Sequence, residues 1–177
     1  MQPRPASMQQ PTPLAPFEAG RVRLTDVSPR DGLQNEAEQV ATEAKIRLIA
    51  SLVEARVDEV EITSFVSRKW IPQLGDAVEV CQGLDAWLTR HDWTLAGHAA
   101  AGARSAPLFS ALVPNAKGME TLLEVNSRAG RRLIGKASVF TAASESFCRK
   151  NINATIAESI ERFAPVISAN HQQECIL

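Results

Sequence analysis

The chain has 177 residues, 45% of them hydrophobic and 22% charged, enough for one domain with a real core. A formal net charge of −1 gives no electrostatic basis for binding nucleic acid or an anionic membrane, and no apolar run approaches the roughly 20 residues that span a bilayer. Three widely spaced cysteines, Cys81, Cys148 and Cys175, with no C-x-x-C among them, point to a reducing compartment and away from a disulfide scaffold or a zinc ribbon.

Five of the ten prolines fall within residues 1–17, among Gln, Ser and Met. Residues 1–18 are therefore expected to be a disordered leader. They lack the apolar stretch of a secretory signal, and a single Arg4 among prolines does not make an amphipathic presequence. Cytoplasm is the expected location.

From residue 19 onward the chain reads as one α/β domain. Val22–Val27 alternates as a first strand and runs into Ser28–Glu36, a loop punctuated by Pro29 and Gly32. That loop carries Arg30, Asp31, Gln34, Asn35 and Glu36. Opposite charges and amides at the carboxyl end of a strand suit metal and anion chemistry. Ile46, Ile49 and Val53 recur at helical spacing over Thr42–Ala55, with Leu48 and Leu52 widening the stripe. A second strand, Val57–Ile62, puts Val60 and Ile62 on one face and Glu59 and Glu61 on the other. A polar loop, Thr63 to Trp70, follows, and then a helix over roughly Asp76–Leu88.

Residues 89–107 are rich in small residues and are expected to form a mobile loop insertion. A third strand over Leu108–Val113 ends at Pro114-Asn115, a helix begins near Gly118–Met119, and a fourth strand lies within Leu133–Phe140. The strongest helix signal comes last. Thr155-Ile-Ala-Glu158 has the spacing of a capping box, followed by Ile160 and Phe163, and Pro165 limits the helix beyond that point. Four β-loop-α repeats imply a parallel sheet with right-handed crossovers. No G-x-G-x-x-G or Walker pattern follows the first strand, which weakens a nucleotide-binding reading.

Four segments carry a family resemblance. They are Asp26-Val-Ser-Pro-Arg-Asp-Gly-Leu-Gln-Asn-Glu36, Val60-Glu-Ile-Thr-Ser-Phe-Val-Ser-Arg-Lys-Trp-Ile-Pro-Gln-Leu-Gly-Asp76, Val113-Pro-Asn-Ala-Lys-Gly118 and Ala142-Ala-Ser-Glu-Ser-Phe-Cys-Arg-Lys-Asn-Ile-Asn153. In this order they resemble hydroxymethylglutaryl-CoA lyase of the DRE-TIM metallolyase superfamily, across most of residues 22–165. The resemblance implies a (β/α)8 TIM barrel that splits 3-hydroxy-3-methylglutaryl-CoA into acetyl-CoA and acetoacetate with Mg2+ or Mn2+. It assigns Asp31 to the metal, Arg30 to the charge that builds on the thioester carbonyl, and Gln34 and Glu61 to the lining of the site. We take Arg30 and Glu61 as the catalytic candidates. Gln34, Ser64, Asn115 and Ser144, on the strand-to-helix loops, are the candidates for the acyl-CoA substrate. For Ser64, Asn115 and Ser144 a turn or capping role is an equal alternative. Asp26 stands where the family has Glu.

The chemistry agrees with these assignments. Cleaving the carbon–carbon bond leaves an enolate, whose oxygen needs a fixed positive partner. The tertiary hydroxyl must lose its proton, which a metal makes easier, and a hard cation prefers oxygen ligands such as Asp31. In isolation Arg30 and Asp31 would read as a surface ion pair, and Glu61 as an inward carboxylate in need of a partner. Lys69 and Lys150 read as solvated, Trp70 and Cys148 as packing residues, and His91 and His98 as loop residues.

The family pattern breaks in three places. The chain offers about four β/α units, and the family's H-x-H metal ligands and cysteine loop belong to the half beyond them; His91, His98 and His171 form no such pair. Residues 125–138 carry Arg128, Arg131, Arg132 and Lys136 where the family has a β-branched strand, a poor composition for a central strand. Residues 170–177 also leave the pattern. The breaks point to an altered or truncated reading frame and to little lyase activity from this chain alone. The alternatives are a related condensing enzyme of the isopropylmalate- or homocitrate-synthase kind, and a non-catalytic half-barrel that pairs with a second chain, its own copy included, through two open sheet edges.

Overall fold

The computed structural model describes residues 22–95 and 104–172, with no side-chain account for 170–172. The expected leader, His98, the middle of the 89–107 segment and residues 173–177 lie outside the described residues.

Four parallel strands form the main sheet in the order β1 (Thr25–Asp26), β2 (Glu59–Ser64), β5 (Leu108–Leu112) and β6 (Lys136–Ser138). The crossovers run through α1 (Thr42–Glu54), α2 (Ala77–Arg90) and α3 (Ala116–Ala129). This is the parallel α/β architecture expected from the β-loop-α alternation. The core lies between the helices and one sheet face, where Val60, Phe109, Ala111 and Ala137 meet Ile49, Val53, Leu84, Leu88 and Leu122. Leu84 and Leu88 are fully buried, so truncating either to Ala should cost about 2–5 kcal/mol.

The first strand is shorter than its sequence pattern. Only Thr25 and Asp26 pair, both with β2, and Val22, Leu24 and Val27 are exposed. Leu24 is nevertheless tied down: its carbonyl accepts from the Asp58 and Glu59 amides, and its amide donates to the Asp58 carboxylate. Within 89–107, Trp93–Thr94 (β3) and Arg104–Ser105 (β4) pair in parallel as a small second sheet, with the Arg104 guanidinium 5.0 Å above the Trp93 ring.

The cation-rich stretch 125–138 is accommodated by a left-handed helix end, a side-chain clamp and two long-range ion pairs. Gly130 takes a left-handed conformation to end α3 (φ 63°). Asn126 grips the backbone of Ile134 from both sides, donating to its carbonyl at 3.0 Å and accepting its amide at 2.9 Å. Arg131 pairs with Asp85 at 2.6 Å and Lys136 with Glu59 at 2.9 Å. Only Lys136 of the four cations sits in a strand, and its charge is met there.

Three helices close the described chain: α4 (Glu145–Ile152), α5 (Ile156–Glu161) and α6 (Phe163–Gln172). Thr155 and Glu158 form the reciprocal capping box at the start of α5. Pro165 falls in the first turn of α6, where its missing N–H removes no helical bond.

Candidate active site at the carboxyl ends of the strands

Ser28–Gly32 is not an irregular loop but one turn of π-helix. The Val27 carbonyl accepts from the amides of Arg30, Asp31 and Gly32. Asp26 starts the turn: its Oδ1 accepts from the Ser28 amide at 2.9 Å and from the Ser28 hydroxyl at 2.6 Å. The shorter carboxylate at position 26 therefore serves the backbone of the turn that aims Arg30.

Arg30 lies between two carboxylates. Its Nε and NH2 meet Glu61 Oε2 at 2.6 and 2.5 Å, and its NH1 meets Asp31 Oδ1 at 2.7 Å. Glu61 is almost fully buried, with its side chain 7% exposed, whereas that of Asp31 is 57% exposed. Glu61 thus has the partner that an inward carboxylate demands, and it sits on an inner strand rather than at a sheet edge. Three of the five guanidinium N–H groups suffice for these contacts, leaving two for a ligand. The three ionised groups sum to −1, a charge that favours a cation beside Asp31.

A break in the register of β2 adds a further group. Glu61 pairs with Ser110, but Thr63 pairs with Ala111 and Ser64 with Leu112, so Ile62 is an extra residue. Ser110 and Leu112 share a face of β5, and the bulge therefore places Ser64 on the face of Glu61. A regular strand would put it on the opposite face. Ser64 is fully buried, and its Oγ has no hydrogen-bond partner. An unsatisfied buried hydroxyl is costly, which makes it a natural donor to a ligand at this end of the sheet.

The remaining candidates fall elsewhere. Gln34 is half-buried just after the π turn. Asn115 spends its side-chain oxygen on the Gly118 amide as the cap of α3, and Ser144 spends its own on the Phe147 amide as the cap of α4. Both capping alternatives are thus realised. Trp70, expected to pack, is 74% exposed, because it projects from the turn Ser67–Ile71 beyond the end of β2. Cys148 is buried, and so is Cys81, whose thiol is pushed up to about 12 by burial first and the Glu79 charge second. His91 ends α2, with its ring stacked on Trp87 at 4.6 Å. Two features were missed in the sequence: the bulge at Ile62, which leaves no local signal, and the role of Gln73, whose place in a Pro-Gln-Leu-Gly turn hides its partners.

For a divalent metal, Asp31 has the right chemistry: an exposed, hard carboxylate oxygen in a net negative setting. Among the described residues no group of three or more His, Cys, Asp or Glu side chains converges. Asp31 therefore fits as one ligand of an incomplete set.

A parallel α/β sheet with a group such as Arg30, Asp31 and Glu61 at the carboxyl ends of its first strands is the arrangement of barrel enzymes. A profile of the HMGL-like family matches residues 21–174, and the chain belongs to that family. It is 39% identical over 154 residues to the 3-hydroxy-3-isohexenylglutaryl-CoA/hydroxy-methylglutaryl-CoA lyase of Pseudomonas aeruginosa, covering 87% of this chain and 43% of that protein. It is 39% identical over 149 residues to the mitochondrial hydroxymethylglutaryl-CoA lyase of Homo sapiens, covering 84% and 38%. The crystal structure of the Pseudomonas aeruginosa hydroxymethylglutaryl-CoA lyase superposes with a TM-score of 0.69 at 39% identity, over 88% of this chain and 44% of that one. An Acinetobacter baumannii HMG-CoA lyase, solved in complex with coenzyme A and 3-methylmalate, superposes with a TM-score of 0.66 at 28% identity, over 87% and 43%. The chain thus spans less than half the length of these relatives, and it corresponds to part of their TIM barrels. Their names favour the lyase over the condensing-enzyme alternative. No helix among the described residues is long and apolar enough to cross a membrane.

Proposed function

We propose that residues 19–177 supply the Arg30–Asp31 half of a carbon–carbon lyase centre acting on 3-hydroxy-3-methylglutaryl-CoA, with residues 1–18 as a leader outside it. The observation that carries this reading is Arg30 held between buried Glu61 and exposed Asp31 at the carboxyl end of β2. Glu61 fixes the guanidinium plane, and the two remaining N–H groups are free to meet the thioester oxygen as it becomes an enolate. Asp31 serves as one ligand of a Mg2+ or Mn2+ ion, which when bound lowers the cost of deprotonating the tertiary hydroxyl. Gln34 and the Ser64 hydroxyl line the same end of the sheet and orient the acyl group. Asn115 and Ser144 act from their capping positions, through the helix starts they hold. The solved relative with coenzyme A bound supports an acyl-CoA as ligand.

The chain alone should turn over little substrate, because the ligand set among the described residues is incomplete. Assembly with a second chain, its own copy included, would cover β1 and β6, the two edges of the sheet. The location proposed with this reading is the cytoplasm; the human relative is named as mitochondrial.

The direct test is a Mn2+ titration of the full chain followed by electron paramagnetic resonance. Weak binding should be present, and Asp31→Asn should reduce it by about tenfold or more, as expected for loss of a charged ligand. An unchanged affinity removes Asp31 from the ligand list. Acetoacetate release at the rate of a complete relative would overturn the half-site reading.

A further inference from the structure

We propose that Gln73, backed by Lys45, is a positioning residue that locks the loop carrying Arg30, Asp31 and Gln34 to the loop that follows β2. This rests on the site reading above and goes beyond it, because neither residue touches the site itself.

The β1–α1 loop is held at its first end by the Val27 carbonyl, which gathers three amides of the π turn. Beyond Leu33 it has little regular structure until Thr42, and residues 35–39 are exposed, so apolar packing does not fix it. Gln73 does. Its Nε2 donates to the Glu38 carbonyl at 3.0 Å and its Oε1 accepts from the Val40 amide at 3.0 Å. One side-chain amide thus pairs with residues i and i+2, as a neighbouring strand would.

Gln73 is itself held from behind. Its carbonyl accepts from the ammonium of Lys45, which is only 2% exposed and reaches inward from α1. The same ammonium meets Asp76 Oδ1 at 2.7 Å, and Thr42 donates to Asp76 Oδ2 at 2.7 Å. A buried lysine without such partners would be strongly destabilising. The cluster Thr42–Lys45–Gln73–Asp76 therefore joins the start of α1 to the turn Pro72–Leu74 and pins the loop between Gly32 and Thr42 at its far end. Hydrophobic residues of equal volume would fill the space without gripping the backbone of residues 38–40. The polar choice at position 73 is explained by the loop it holds.

The test uses the full chain with Gln73→Ala and the volume-keeping Gln73→Met. Hydrogen exchange is followed residue by residue, together with the Mn2+ titration and the thermal midpoint. Losing both loop bonds should speed exchange across residues 33–41 by about tenfold or more while β5 and α2 keep their protection. Mn2+ affinity should fall several-fold in the same variants. Exchange that stays unchanged in 33–41, or that rises evenly through the molecule with a lowered midpoint, overturns the proposal and leaves Gln73 a core residue only. If Gln73→Ala does not fold, Gln73→Met decides by the same criteria. If the unmodified chain binds no Mn2+, the site reading fails, and local exchange alone decides for or against the positioning role.

Discussion

Strand β2 carries two buried carboxylates two residues apart, and their settings differ. Glu59, at the amino end, is 4% exposed in its side chain and is met by Lys136 at 2.9 Å and Arg23 at 3.5 Å. Glu61, near the carboxyl end, is met among the described residues by Arg30, and Arg30 also reaches exposed Asp31. The lower cluster sums to +1 around a closed carboxylate. The upper cluster sums to −1, with an open acid and unused guanidinium donors. Both ends solve the same problem, a charge removed from water, but only the upper one adds an exposed carboxylate that can take a cation. That division matches the general rule that the carboxyl ends of barrel strands do chemistry and the amino ends hold the fold.

Mutation of each end tests the division. Glu59→Ala should give the largest loss of stability, about 2–3 kcal/mol by urea denaturation, because it leaves two cations facing each other across the sheet. Mn2+ affinity should not follow it. A parallel loss of metal binding would merge the two ends into one functional unit. Glu61→Gln should cost less, about 1 kcal/mol, since an amide oxygen still accepts from Arg30. Arg30 would then have Asp31 as its only ionised partner and would compete with the cation, so Mn2+ affinity should drop. An unchanged affinity would mean that Glu61 does not set the guanidinium. Asp31→Asn should change the unfolding free energy by less than about 0.5 kcal/mol, the range of exposed substitutions. A larger stability loss would make Asp31 a structural residue.

How much of this was legible in the sequence follows from range. The β-loop-α alternation, the Thr155–Glu158 box and the Ser28–Glu36 motif are local patterns, and each appears in the structure. Arg30 and Glu61 are 31 residues apart; the family resemblance assigns both to one site, but nothing in the sequence pairs them with each other. Physical reasoning alone supplied only the need of Glu61 for a partner. The charges in 125–138 looked foreign to a strand because their partners, Asp85 and Glu59, are 46 and 77 residues away. The face on which Ser64 lies was hidden by the bulge at Ile62, since strand periodicity assumes an unbroken ladder. Gln73 was overlooked because its partners are backbone atoms, which sequence does not distinguish.

The capping box offers the smallest effect and separates geometry from burial. Glu158 Oε2 accepts the Thr155 amide at 2.7 Å, while the Glu158 amide donates to Thr155 Oγ1 at 3.1 Å. The backbone bond from Thr155, then its side-chain bond, holds the Glu158 carboxyl below the usual carboxylate range. Because the folded pKa lies below the unfolded one, the contribution is complete above the unfolded value near pH 4.5 and is lost as pH falls through the folded value. Glu59 and Glu61 combine hydrogen bonding with burial, whereas Glu158 is exposed, and its bonds to Thr155 act on it more strongly than the Arg162 and Arg149 charges. Acidification from about pH 6 to about pH 3 should therefore lower the protection of the Thr155 amide, measured against its intrinsic exchange rate at each pH, and fray the first turn of α5 while β2 keeps its protection. In Glu158→Gln the pH response should vanish, because an amide can accept the same bond at every pH. A Thr155 amide that keeps its acid response in that variant would assign the effect to another group and would remove the box as a reference for what a carboxylate bond contributes without burial.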